Sequence, residues 1–69
     1  MANPTAAMLV IGDEILSGRT RDSNTNHLAQ ELTSHGITLA EVRMVPDNIA
    51  VIIDAVRALS TAYDHVFTS

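Results

Sequence analysis

Ala6-Ala7-Met8-Leu9-Val10-Ile11-Gly12-Asp13-Glu14-Ile15-Leu16-Ser17-Gly18-Arg19-Thr20 is the stretch that decides the fold. Its first six residues form an unbroken apolar run closed by Gly12, the habit of a strand covered on both faces, as the inner strands of a parallel sheet are. The polar residues from Asp13 to Asp22, interrupted by the apolar pair Ile15 and Leu16, read as an ordered loop leaving the carboxyl end of that strand. Its Ile15 and Leu16 are suited to plug the core.

Outward from there the pattern turns helical at about Ser23. Asp22 or Ser23 can cap, Leu28, Ala29 and Leu32 share a face, and Gly36 suits the position just past the helix end. Ile37 to Val45 mixes β-branched and polar residues in partial alternation, which predicts a strand nearer a sheet edge. Pro46-Asp47-Asn48 stops it and opens a second helix, with Asp47 able to accept from the first unpaired N–H groups. In that helix Ile49, Ile52, Ile53, Val56 and Leu59 recur at spacings of three and four. Asp64 and His65 lead into a last strand, Val66-Phe67-Thr68-Ser69. The pattern is β-α-β-α-β with short connections, so parallel strands and right-handed crossovers are expected. A buried third strand with nothing beyond it is a poor terminus, and residues 1–69 therefore read as the front part of a larger α/β domain or an ordered remnant of one.

Composition narrows the function. The 69 residues carry four Lys and Arg together, all arginine, against eight Asp and Glu, for a net charge of −4. With no basic run, a grip on a nucleic-acid backbone is not expected. Zero cysteines exclude disulfides and thiolate-zinc sites. No apolar run approaches the roughly 20 residues of a membrane span, and no basic segment precedes the first one as in a secretory signal. A cytoplasmic protein is the expectation.

In an open α/β sheet the ligand crevice lies outside the carboxyl ends of the strands, at the switch in strand order. Three segments reach that edge: Gly12 to Asp22, Pro46 to Asn48, and Thr68-Ser69. If the third strand pairs with the first on the side opposite the second, the crevice opens between the Asp13 loop and Ser69. Two glycines, two hydroxyls and Arg19 suit an anionic oxygen cluster such as phosphate, although the loop fits neither the Walker nor the Rossmann pattern. Asp13 and Glu14 are hard-cation ligands by type, although adjacent acids in a strand-end loop are more often just solvated. Asp47 reads first as a helix cap and second as a general base or metal ligand. His27, Glu31 and His35 fall on one helical face, where surface pairing is the default; Arg43 and Arg57 are expected to pair with nearby acids, Asp54 for Arg57.

Gly12 to Thr20, then Asp22, Asn24 and Leu28, then Val45-Pro46-Asp47-Asn48, then Asp64 to Ser69, occur in an order and spacing that closely resembles the start of the MoaB/Mog-like molybdopterin-binding domain. The Gly-Asp-Glu-Ile-Leu-Ser-Gly stretch is similar to the variety at the front of CinA (competence/damage-inducible) proteins, and the likeness runs over nearly the whole chain. It implies a three-layer α/β/α fold with a mostly parallel sheet. It also implies that the first loop, with a Gly-Gly-x-Gly-Pro-Thr loop following Thr68-Ser69, binds a pterin phosphate or a nucleotide. On this reading Gly12, Asp13, Glu14, Ser17, Gly18, Arg19, Thr68 and Ser69 contact the ligand. Asp47 matches by position one of the two catalytic acids of Mog-type adenylyltransferases, which hold Mg²⁺ and position ATP; the other follows the glycine loop beyond Ser69, and Asp13 is the further metal candidate in this sequence. In the CinA-like branch the domain is associated instead with hydrolysis of dinucleotide pyrophosphates such as ADP-ribose, with Glu14 joining Asp13 and Asp47 at the metal. A non-catalytic assembly domain is the third reading. Members of the family are commonly dimers or trimers, so a homo-oligomer is implied.

Overall fold

The computed structural model describes residues 3–19 and 24–69. Strand β1 (Thr5–Ile11) lies at the centre of a three-stranded parallel sheet, flanked by β2 (Thr38–Val45) and β3 (His65–Thr68) in the order β2-β1-β3. That is the order on which the expected crevice beside the Asp13 loop depends. Ala6 to Val10 are all buried, as an apolar run with cover on both faces requires. The β1–β2 register slips by one residue between Ala6, opposite Leu39, and Ala7, opposite Glu41.

Helix α3 (Ile49–Ala62) covers one face of the sheet. Its Ala55 and Leu59 pack with Ala7, Leu9 and Val45, and Ile52, Val56, Tyr63 and Val66 close around them. At 100° per residue the residues 52, 55, 56 and 59 occupy one arc of the helix. Ile49 and Ile53 lie on the flank of that arc and are 76% and 44% exposed, so the core row is narrower than the repeat of isoleucines suggests. Helix α2 (Asn24–Ser34) lies over the opposite face, with Leu32 buried, so the sheet is the middle of three layers. The fold is α/β, as expected.

Gly36 ends α2 for a defined reason. With φ at 75° it lets its own N–H reach the Thr33 carbonyl at 3.1 Å and sends the Ile37 N–H to the Leu32 carbonyl at 2.9 Å, the paired closure of a Schellman motif. The helix stops at Ser34, so His35 lies in the turn rather than on the face of His27 and Glu31. The capping residues Asp22 and Ser23 and the hydroxyl of Thr20 lie outside the described residues.

Two further expectations are corrected. β3 is mostly exposed rather than buried, because β1 alone pairs with it and only Val66 reaches the α3 core. Ser69 nevertheless continues its ladder, donating to the Leu9 carbonyl and accepting from the Ile11 N–H, both at 3.0 Å. Arg43 does pair, with Glu41 at 2.7 Å, but no ion pair joins Arg57 to Asp54 among the described residues. Glu41 also accepts from the Tyr63 hydroxyl at 2.8 Å.

Candidate functional site

The carboxyl ends of all three strands meet at two consecutive amides. Ile11 N–H donates to Ser69 at the end of β3, and Gly12 N–H donates to the Val45 carbonyl at the end of β2 at 3.1 Å. Adjacent amides point to opposite sides of a strand, so Ile11-Gly12 is where the sheet's order switches direction. Gly12 then turns sharply, with φ at 152°, and a Cβ there would meet the Glu14 carboxylate at 2.6 Å. The Glu14 side chain thus lies back over the glycine.

Beyond Gly12 the chain is helical, where its polar sequence suggests a loop. Asp13–Leu16 is a single helical turn, α1, with no buried residue; Ile15 is half-buried and Leu16 is 51% exposed, so Leu16 does not plug the core. Gly18, with φ at 79°, closes α1 by the same motif that Gly36 uses: its N–H reaches the Ile15 carbonyl at 3.1 Å and the Arg19 N–H reaches the Glu14 carbonyl at 2.9 Å. Ser17 N–H is likewise spent on Asp13. The amides of Ser17, Gly18 and Arg19 are therefore satisfied within the turn, which leaves only side chains there for a ligand. There the Ser17 hydroxyl donates to the Glu14 carbonyl at 3.2 Å and accepts from Arg19 Nε at 3.1 Å.

The α1 turn carries Asp13 toward the β2–α3 connection, where Oδ1 accepts from the Asp47 backbone N–H at 3.4 Å. Asp47 is not the helix cap. Asn48 takes that role, its Oδ1 accepting from Val51 N–H at 3.2 Å, while its own N–H closes a tight turn onto the Pro46 carbonyl at 2.8 Å. The Asp47 carboxylate makes no hydrogen bond among the described residues, which leaves it available at the sheet edge. Asp13 and Asp47 suit Mg²⁺, which binds through one or two carboxylates and completes its shell with water and phosphate; no group of three or more His, Asp or Glu converges among the described residues.

On the other side of the switch, Asn24 at the start of α2 donates from Nδ2 to Ser69 Oγ at 3.1 Å. A cleft of about 270 Å³ runs below that bond, floored by Met8, Leu28 and Phe67 and rimmed by His27 and Glu31. The sequence marks Asn24 as part of a motif, but its bond to a residue 45 positions away has no local signal. The structure thus joins Asp13 to the Asp47 turn, Ser17 to Arg19, and Ser69 to Asn24, and sets Thr68 and Ser69 at the edge beside Ile11.

Residues 7–69 match the model of a family described as a probable molybdopterin binding domain. The chain belongs to that family. A solved structure of the CinA protein from Thermoplasma acidophilum superposes with a TM-score of 0.90 at 29% identity, over 99% of this chain and 40% of that one. A probable FAD synthase of Caenorhabditis elegans is 46% identical over 65 residues, 94% of this chain but 12% of its own length. A protein of Sulfurisphaera tokodaii is 44% identical over 52 residues, 75% of this chain and 20% of its own. This molybdopterin-binding-type domain therefore spans well under half the length of these relatives. No helix among its described residues is long and apolar enough to cross a membrane.

Proposed function

We propose that this domain binds a small phosphorylated ligand, a pterin phosphate or a nucleotide, at the carboxyl edge of the sheet. The observation that carries the reading is the convergence of Asp13 and the Asp47 turn beside the Ile11-Gly12 switch. Arg19 supplies the positive charge that a phosphate needs, and Thr68 and Ser69 supply hydroxyls from the other side of the crevice. A divalent cation such as Mg²⁺ held by Asp13 and Asp47 would neutralise phosphate charge and polarise the phosphorus–oxygen bond. The eight acids against four arginines support a small ligand over a nucleic acid.

A second reading is cleavage of a dinucleotide pyrophosphate. It is favoured by the two available carboxylates and by relatives named for FAD synthesis, since FAD contains a phosphoanhydride between two nucleotides. In that reaction a water adds to one phosphorus and the other phosphate leaves, with Asp47 at the metal. Incubation of the full-length protein with ADP-ribose and Mg²⁺ separates the two readings. Release of AMP supports hydrolysis. Saturable binding without turnover supports a binding domain, and neither result for ADP-ribose, molybdopterin or ATP overturns both. Asp47→Ala is expected to abolish turnover while leaving most of the binding, and full turnover in that variant removes Asp47 from the chemistry.

A further inference from the structure

We propose that Ser17 is a positioning residue that aims Arg19 at the anion, rather than an anion contact itself; this rests on the phosphate-binding reading above. The Ser17 hydroxyl has one proton and two lone pairs. Its proton goes to the Glu14 carbonyl, a backbone atom held in place by the 2.9 Å bond from the Arg19 amide. With the hydroxyl so oriented, a lone pair accepts Arg19 Nε–H at 3.1 Å. One proton and one lone pair are then committed to the turn. What remains is weak equipment for holding an anion, because the donor half of the group is already used.

Arg19 is left in the opposite state. A guanidinium has five N–H groups in a rigid plane, and tethering Nε fixes that plane while leaving the four terminal N–H groups for other partners. Neither terminal nitrogen has a partner among the described residues, and no carboxylate there forms an ion pair with Arg19. Glu14, the nearest acid in sequence, turns its carboxylate back over Gly12 instead. Two adjacent oxygens of a phosphate match the terminal pair of a guanidinium in a bidentate contact. The Schellman closure at Gly18 sets the backbone of this device, and Ser17 links the backbone to the cation.

The test is calorimetric titration of the full-length protein with inorganic pyrophosphate. Arg19→Ala is expected to weaken binding roughly tenfold or more, and Ser17→Ala about three- to fivefold. Ser17→Thr keeps a γ-hydroxyl and restores the affinity. In an Arg19→Ala background, Ser17→Ala has no further effect. Ser17 is exposed with φ at −80° and ψ at −7°, which alanine adopts without strain, so melting temperature stays unchanged across the series. A full Ser17→Ala loss persisting without Arg19 overturns the positioning role, since Ser17 would then touch the anion directly. So does a Ser17→Ala protein that binds as well as the parent, or an Arg19→Ala protein that does. No pyrophosphate binding by the unmodified protein overturns the phosphate reading and, with it, this role.

Discussion

The two faces of the sheet are covered unequally: on the α2 face the central strand's Ala6, Met8 and Val10 are buried with Leu32, but the flanking strands are not sealed. On the α3 face Leu9 and Leu59 are fully buried and Ala55 and Val45 nearly so. On the α2 face Val42, Met44 and Phe67 remain 39%, 46% and 36% exposed. β2 sharpens the contrast: its apolar Val42 and Met44 lie on the open face, while Glu41 and Arg43 turn toward the closed one. A hydrophobic side chain is thus no guide to which face is sealed. Glu41 is tolerated against the core because Arg43 and Tyr63 satisfy both of its oxygens.

The closed face should be the most sensitive to truncation. Leu59→Ala removes a fully buried side chain from a packed cluster and should lower unfolding stability by about 3 kcal/mol in chemical denaturation. A loss under about 1 kcal/mol would mean that α3 is not docked as described. Gly36→Ala should cost about 1 kcal/mol, because a Cβ is disfavoured at φ 75° even though it meets nothing in space. Asn48→Ala should likewise cost about 1 kcal/mol through the lost cap, whereas Asp47→Ala should leave the melting temperature nearly unchanged. The reverse ranking would restore Asp47 as the cap.

Acid should also separate the faces. The Tyr63 hydroxyl and then Arg43 hold the Glu41 carboxyl below its ordinary value of 4.5. A group with a depressed folded value contributes stability that is fully present above the unfolded value and is lost as pH falls through the folded one. The denaturation midpoint should therefore begin to fall below about pH 4.5, and Glu41→Gln should flatten that part of the profile. Asp64, held low by the Thr5 backbone N–H and hydroxyl, contributes a similar acid limb at the amino edge of the sheet. An unaltered acid limb in Glu41→Gln would assign it to Asp64 or other carboxylates.

Much of this fold is legible in the sequence because it is written in local signals. The run Ala6 to Ile11 marks the central strand, Gly36 marks a helix end, and Pro46 marks the end of β2. α1 is not legible, since four residues show no periodicity and the turn is defined by Gly12 and Gly18 rather than by an apolar stripe. Asp47 and Asn48 are both competent caps, and the tight turn from Pro46 to Asn48 together with the Asp13 contact decides between them. The motif picks out candidate residues, yet their pairings could not be read from it. Asp13 with Asp47, and Asn24 with Ser69, are joined by a strand order that no local stretch contains.

A mild substitution is the most informative about the less covered face. Met44→Ser replaces a side chain that is nearly half exposed, opposite Val10 in the parallel register. With about half of Met44 already in water, only its buried half contributes, and the loss should stay near 1 kcal/mol or below. A loss of about 2 kcal/mol or more in the full-length protein would show that Val42 and Met44 are covered there. The exposure would then belong to residues 1–69 alone, and the contrast between the faces would be one of neighbours rather than of sequence. The Leu59→Ala result would be unmoved by that outcome, because its cluster is closed by α3 and the sheet without further cover.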